Sequence, residues 1–467
     1  MTLTPYISSD LAFLDGKRAE MTATLRDWCA INTGSGNLDG LAAMHAALGE
    51  AFAELGEVET RPAAAQQVVT ASGVVVENKI GDMLRLVKRP QAPVRVLLAG
   101  HMDTVFAADH PFQADRYIDD DTLNAPGGAD MKGGLLVMLY ALKAIERSPL
   151  AERIGYEVII NADEEIGSPG SRAALFDAAS RAQFACVYEP AMPDGALAGA
   201  RKGSGNYAAI FTGRAAHAGR EHHLGRNAVV AAAAFAARVD ALTGARDGLT
   251  VNVAKIDGGG PNNVVPDNAV ARFNVRVEKP EDADWFAAEL KNIKAQVNAR
   301  DGIGLHLHGG FGRPPKPMTP QLKAFFEALK KAGVELGLDI GWKSTGGVCD
   351  GNNIAAAGIP VIDTLGVRGG DIHSAQEYVR LDSLEERAKL SALLLLRIAA
   401  GDLPNPGAFS GEVETGSPKE NATRKADGAF SGEVETGSPK ENAIKLTDGA
   451  TPLSRARENC STGDKTI

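Results

Sequence analysis

The chain has 467 residues, more than one hydrophobic core ordinarily organises, so two domains with appendages are expected. Its apolar fraction of 44% and charged fraction of 23% are those of a soluble globular protein. A formal net charge of −10 gives no electrostatic reason to bind nucleic acid or an anionic membrane. The cysteines (Cys29, Cys186, Cys349 and Cys460) are scattered without CxxC spacing, which excludes a disulfide framework or a cysteine-built zinc finger. With no basic-then-apolar leader from Met1 to Arg18 and no apolar run of bilayer length, the expected location is the cytoplasm.

Residues 9–56 carry apolar positions at helical spacing, broken by a loop from Asn32 to Asn37. Residues 94–99 read as a fully buried strand that ends at Gly100-His101-Met102-Asp103-Thr104. A polar loop leads to Pro126-Gly127-Gly128-Ala129-Asp130, after which Met131 to Arg147 has the 3.6-residue pattern, with Asp130 at its N-cap. A β-branched strand at 156–161 then delivers three adjacent carboxylates, Asp163-Glu164-Glu165. A helix at about 170–181 follows, and a strand at 184–188 ends in Glu189-Pro190. This alternation describes an α/β fold, a mostly parallel sheet flanked by helices, in which ligands bind at the carboxyl ends of the strands.

Beyond Lys202 the pattern changes to hairpin-like strands and two helices, roughly 226–242 and 281–299, which suggests a small α+β domain over 201–312 inserted into a discontinuous one over 1–200 and 313–402. The chain then returns through an amphipathic helix at 319–337, the Gly-rich turn from Ser344 to Gly351, a strand at 360–365 and a last helix at about 382–400. In the tail, 403–467, the segment from Gly407 to Ala422 recurs unchanged from Gly428 to Ala443. It is polar and poor in apolar surface, and is expected to be disordered.

His101, the Asp163–Glu165 run and Glu189 fall at the carboxyl ends of three separate strands. So much like charge in one place calls for a cation. With Asp130 and His373, imidazole and carboxylate ligands without thiolate suit Zn²⁺, Mn²⁺ or Co²⁺. Five such ligands exceed what one catalytic zinc needs and suit two metals sharing a carboxylate. Asp103, two residues after His101, could accept the other imidazole N–H and fix its tautomer.

The motifs at Gly100–Val105, Gly127–Gly134, Asp163–Ser168, Glu189-Pro190 and His373 before Glu377-Tyr378-Val379 occur in this order over about residues 10–400. Together they resemble the co-catalytic metallopeptidase family of carboxypeptidase G, peptidase T, aminoacylase and succinyl-diaminopimelate desuccinylase, with the carboxypeptidase G branch nearest in pattern. The resemblance implies a two-zinc site in a catalytic domain, with a lid or dimerisation domain inserted. Asp130 would bridge, His101 and Glu189 would complete one metal, and Glu165 and His373 the other. Glu164 would be the general base that takes a proton from the metal-activated water. His217, in a loop similar to one that reaches the partner subunit of a homodimer, would stabilise the oxyanion. Asn263 and Arg276 would hold a substrate carboxylate, and Gly347 would border the pocket. The implied reaction is amide hydrolysis that releases a C-terminal amino acid, glutamate above others, from a small peptidyl or N-acyl substrate. An aminoacylase or di/tripeptidase is the alternative, and a non-catalytic metal-dependent binding protein the third reading.

Overall fold

The structure, a computed structural model, describes residues 5–403. All but the first residue of the expected tail, the duplicated segment and Cys460 included, lies outside them. At its centre is an eight-stranded sheet in the spatial order Val58–Arg61, Met83–Lys88, Ile154–Asn161, Val94–His101, Phe184–Val187, Val361–Asp363, Leu197–Arg201, Trp342–Thr345. The four strands from Ile154–Asn161 to Val361–Asp363 are mutually parallel, and antiparallel neighbours join on both sides. The mixed, mostly parallel sheet expected from the sequence is therefore present, flanked by helices.

Alternate residues of the central strands feed opposite faces, as the two-residue period of a strand requires. Val96, Leu98, Val158, Ile160 and Cys186 join the larger core under Gly133–Ile145 and Asp382–Ala400. Leu97, Ala99, Ile159, Ala185 and Val187 join a smaller one with Leu175 of Arg172–Ala179 and Ile354 of Asp350–Ala355. Helix Gly133–Ile145 reaches the end of Phe184–Val187 because Gly134 has no side chain: a Cβ there would lie 1.9 Å from the Tyr188 carbonyl oxygen.

A second, antiparallel sheet has the order Thr250–Gly258, Asn268–Val277, Gly203–Thr212, Gly304–Arg313. Helices Ala228–Asp240 and Pro280–Asn298 cover one face, around Phe211, Phe235, Phe273 and Phe286. A hairpin, Gln66–Val69 with Val75–Asn78, packs Val69 against Ala208, Ile210 and Val270 of this sheet. Arg272 fastens it by donating to the Val69 and Thr70 carbonyls. Where the second sheet joins the first, Arg201 and Lys316 exchange backbone hydrogen bonds, and Asp363 accepts from both side chains. No helix among the described residues is long and apolar enough to cross a membrane.

Candidate metal centre

Strand register brings the first candidates together. His101 pairs with Asn161 on one side, and Ala99 with Val187 on the other. Glu189 and His101 each lie two residues beyond that second pair and therefore reach the same level. His101 Nε2 is 3.7 Å from Glu189 Oε2 and 3.2 Å from Asp130 Oδ1. The other oxygen of Asp130 lies 3.2 Å from His373 Nε2, which is itself 3.2 Å from Glu165 Oε2. One carboxylate thus faces both imidazoles, one oxygen to each. Ligand atoms of His101, Asp130 and Glu165 lie within 4.8 Å of one another, as do those of His101, Glu164 and Glu189.

Asp130 is not an N-cap. A wide turn spans Gly128–Lys132, Asp130 has non-helical φ/ψ of −114° and 93°, and its peptide bond to Met131 is cis; the helix starts at Gly133 with Lys132 as its N-cap. The Gly127 that precedes it, at φ +67°, allows the turn that a helix start would not. His373 sits at φ +63°, a sparsely populated conformation for a side-chain-bearing residue, and remains half exposed.

The three consecutive carboxylates diverge. Asp163 turns back to accept from the Gly170 and Ser171 amides and the Ser171 hydroxyl, holding its own loop. Glu165 faces His373. Glu164 points to Arg313, whose Nη1 is 2.6 Å from Oε1 and whose Nη2 donates to the Glu164 carbonyl and to Ser168 Oγ. The Asp103 carboxylate does something other than expected. His101 Nδ1 lies 2.9 Å from the Asp103 main-chain carbonyl, with the carboxylate farther off at 3.4 Å. That carboxylate instead accepts from the Glu164 and Glu165 amides and from Ser35 Oγ. It therefore fixes the backbone that aims both glutamates.

The electrostatics show buried carboxyls crowding one another. Burial, with Asp130 and Glu164 nearby, pushes the Glu165 carboxyl up to about 7. Burial and Asp130 do the same to Glu189, also to about 7. Burial pushes Glu164 up to about 8, against the pull of Arg313. Burial pulls the His101 imidazole down, but Glu189, Asp103 and Asp130 outweigh it and hold it well above its ordinary value. Hydrogen bonds to Asp130 and Glu165 push His373 up to about 11. Three buried atoms of these ligands, His101 Nε2, Asp130 Oδ1 and Glu189 Oε1, have no hydrogen-bond partner. Orphaned buried acceptors of this kind are costly unless something coordinates them. The donor set is the nitrogen and carboxylate-oxygen chemistry that zinc, manganese or cobalt accept, so the residues fit the metals expected.

Residues 97–397 match the profile of peptidase family M20/M25/M40. The chain belongs to that family. Carboxypeptidase G2 of Pseudomonas sp. (strain RS-16) is 30% identical over 387 residues, 81% of this chain and 89% of that protein. A succinyl-diaminopimelate desuccinylase of Psychrobacter arcticus is 26% identical over 322 residues, 64% of this chain and 77% of its own. The same fold recurs in the M20 family metallo-carboxypeptidase Sso-CP2 of Sulfolobus solfataricus, at TM-score 0.62 and 17% identity over 82% of this chain and 99% of that one. It recurs again in aminopeptidase PepT of Bacillus cereus, at TM-score 0.60 and 20% identity over 82% and 99%. M20 membership makes the chain a metallohydrolase that acts on peptide or amide bonds.

Among the described residues, no hydrogen bond or ion pair joins the remaining expected residues to the ligands. His217 pairs with Val264 in a two-stranded ribbon, and the Ala218 amide donates to the Asn263 carbonyl, so His217 and Asn263 are neighbours; both are exposed. Half-buried Arg276 donates to Asn274 Oδ1 and to the Gly346 carbonyl, and among the described residues it makes no ion pair. Its charge is felt by burial and by Arg313, which lower its pKa. Gly347 accepts through its carbonyl from Arg201. Sequence reasoning missed Arg313, which touches Glu164, and Asp350, which accepts from Asn161 and from Ser168. It also quoted Glu377 only as part of a motif. Arg313 and Asp350 are charged residues in glycine-rich stretches, which is the signal that could have singled them out; Glu377, among polar neighbours, carries no such signal.

Proposed function

We propose that this protein is a two-zinc amidohydrolase that releases a C-terminal amino acid, glutamate by preference, from small peptidyl or N-acyl substrates. The observation that carries the reading is Asp130, with one oxygen toward His101 and Glu189 and the other toward His373 and Glu165, at 3.2 Å to each imidazole. His101 with Glu189 would hold one ion, His373 with Glu165 the other, and Asp130 both. When bound, the ion pair supplies Lewis-acid polarisation of the amide carbonyl and makes water acidic enough to ionise near neutral pH.

The chain's own residues then do the rest. Glu164 takes a proton from water and delivers it to the departing nitrogen, which suits a carboxyl pushed up towards neutrality. Asp103 keeps Glu164 and Glu165 aimed through their amides. Arg276, without an acidic partner, holds the carboxylate of the leaving amino acid beside the Gly346-Gly347 turn, with Asn263 contributed by the same subunit as its neighbour His217. His217 stabilises the oxyanion from the other subunit of a homodimer, a reading supported by its exposure. In this reading residues 1–200 and 313–402 form the catalytic domain, and 201–312 the lid and dimerisation domain. The glutamate preference rests on the likeness to carboxypeptidase G2.

The test is a hydrolysis screen of zinc-loaded protein against N-acyl amino acids and dipeptides, with glutamate, alanine, lysine and arginine as leaving groups. Fastest release of glutamate is expected. Equal release of all four would remove the glutamate preference, and fast release of other amino acids alone would favour an aminoacylase or dipeptidase.

A further inference from the structure

Glu377, four residues beyond His373, is 1% exposed. One of its carboxylate oxygens accepts from the amides of Ala129 and Asp130, both at 3.0 Å, and the other from the amide of Gly127 at 3.1 Å. Among the described residues it makes no ion pair. Lys132, whose pKa Glu377 raises, sends its ammonium instead to the Ile31 carbonyl, 2.8 Å away. Three main-chain N–H groups are therefore what this buried carboxyl meets, and they pull its pKa down against burial and Asp130, which together push it up to about 8.

Those N–H groups belong to the turn that delivers Asp130. At the start of a turn these N–H groups have no acceptor within the segment itself, so an outside acceptor is needed. The segment bearing Glu377 is fastened in return. Asn124 donates from its side chain to the Ala375 carbonyl at 3.1 Å and to the Glu377 carbonyl at 2.7 Å. His373 and Glu377 thus leave the same short loop in two directions. One side chain meets the Asp130 carboxylate, and the other grips the Asp130 backbone.

We infer that Glu377 is a positioning residue which sets the spacing between Asp130 and His373, and through Asp130 the affinity of both cation sites. This rests on the two-cation reading above. Because Asp130 faces both histidine–glutamate pairs, a shift of its backbone weakens both sites at once. Losing Glu165 or Glu189 removes a donor from one site only. The substitution Glu377→Gln keeps the shape: the amide oxygen retains two of the N–H groups, but the NH₂ group meets the third donor to donor.

The experiment is zinc titration of the full chain in competition with a chelator of known affinity, on wild type, Glu377→Gln, Glu165→Gln and Asn124→Ala. Thermal midpoints of the ion-free proteins are measured alongside. In Glu377→Gln both binding steps should weaken, by about 10–100-fold, the usual effect of removing a partner one step behind the ligands. Glu165→Gln should weaken chiefly one step. Asn124→Ala, which loosens the loop but keeps the carboxylate, should weaken both steps more mildly, and it decides the matter if Glu377→Gln does not fold. A folded Glu377→Gln with both affinities at wild-type level overturns the inference, as does a lowered midpoint with unchanged affinities. Wild-type protein that binds fewer than two ions overturns the two-cation reading itself, and this inference with it.

Discussion

Acidification should strip the metal centre of its ions in a predictable way. Glu165 and Glu189 have carboxyls pushed up to about 7 in the ion-free chain, by burial first and then by Asp130. A cation binds the carboxylate and must displace the proton. For a group with a pKa near 7, the ionised fraction falls from about nine-tenths at pH 8 to about one-tenth at pH 6. Each carboxyl then costs about tenfold in affinity, near 1.4 kcal/mol, and each proposed site contains one of them. The imidazoles of His101 and His373 are raised as well, so their protons must also leave, and this steepens the dependence in the same direction. The sign is fixed: raised pKa values mean protons held at pH 6 and released on loading, so affinity rises with pH. Calorimetric zinc titration at pH 6 and pH 8, in buffers of different ionisation enthalpy, reads both affinity and proton release. An affinity that is flat or stronger at pH 6, or loading at pH 6 without proton release, would refute the reasoning.

Other outcomes follow from particular contacts. Glu164→Gln should lower turnover by about 10²–10⁴-fold, the range for a lost general base, while metal content measured by elemental analysis stays at the wild-type level; loss of metal with activity would argue for a ligand role instead. Arg276→Ala should raise KM for substrates with a free C-terminal carboxylate by about 10–100-fold, on the scale of a lost charged hydrogen bond, and leave the corresponding C-terminal amides unaffected. Equal losses for acid and amide would exclude the carboxylate role. Gly134→Ala places a methyl group 1.9 Å from the Tyr188 carbonyl, and urea unfolding should show a loss of about 1–3 kcal/mol, the scale of overpacking in a filled core. A neutral result would mean that the helix and strand separate freely there.

The central strands were legible because their apolar runs are short, β-branched and bounded by polar loops, and both faces are buried. His101, Glu165 and Glu189 could be placed at strand ends for the same reason. Strand Leu197–Arg201 was not anticipated, since Leu-Ala-Gly-Ala-Arg has no β-branched residue and its burial comes from its neighbours Val361–Asp363 and Trp342–Thr345. The hairpin at Gln66–Asn78 carries a Ser72-Gly73 turn between valine-rich runs, but it packs on a sheet more than a hundred residues away in sequence. Asp130 read as a helix cap because local pattern puts an aspartate just before an apolar helix. Its true conformation depends on Glu377, and nothing in the spacing announces a partner at that distance. The same holds for Glu164 and Arg313, and for Asp103, whose carboxylate serves two amides while its carbonyl takes the imidazole's closer contact. Sequence pattern reports which face is apolar; it does not report which charge meets which.

The most direct measurement is a crystal structure of the zinc-loaded protein with anomalous scattering collected at the zinc edge. The account predicts two peaks about 3.5–4 Å apart, the usual spacing of paired catalytic metals, with one Asp130 oxygen bound to each. A single peak, or two that Asp130 does not join, would contradict it.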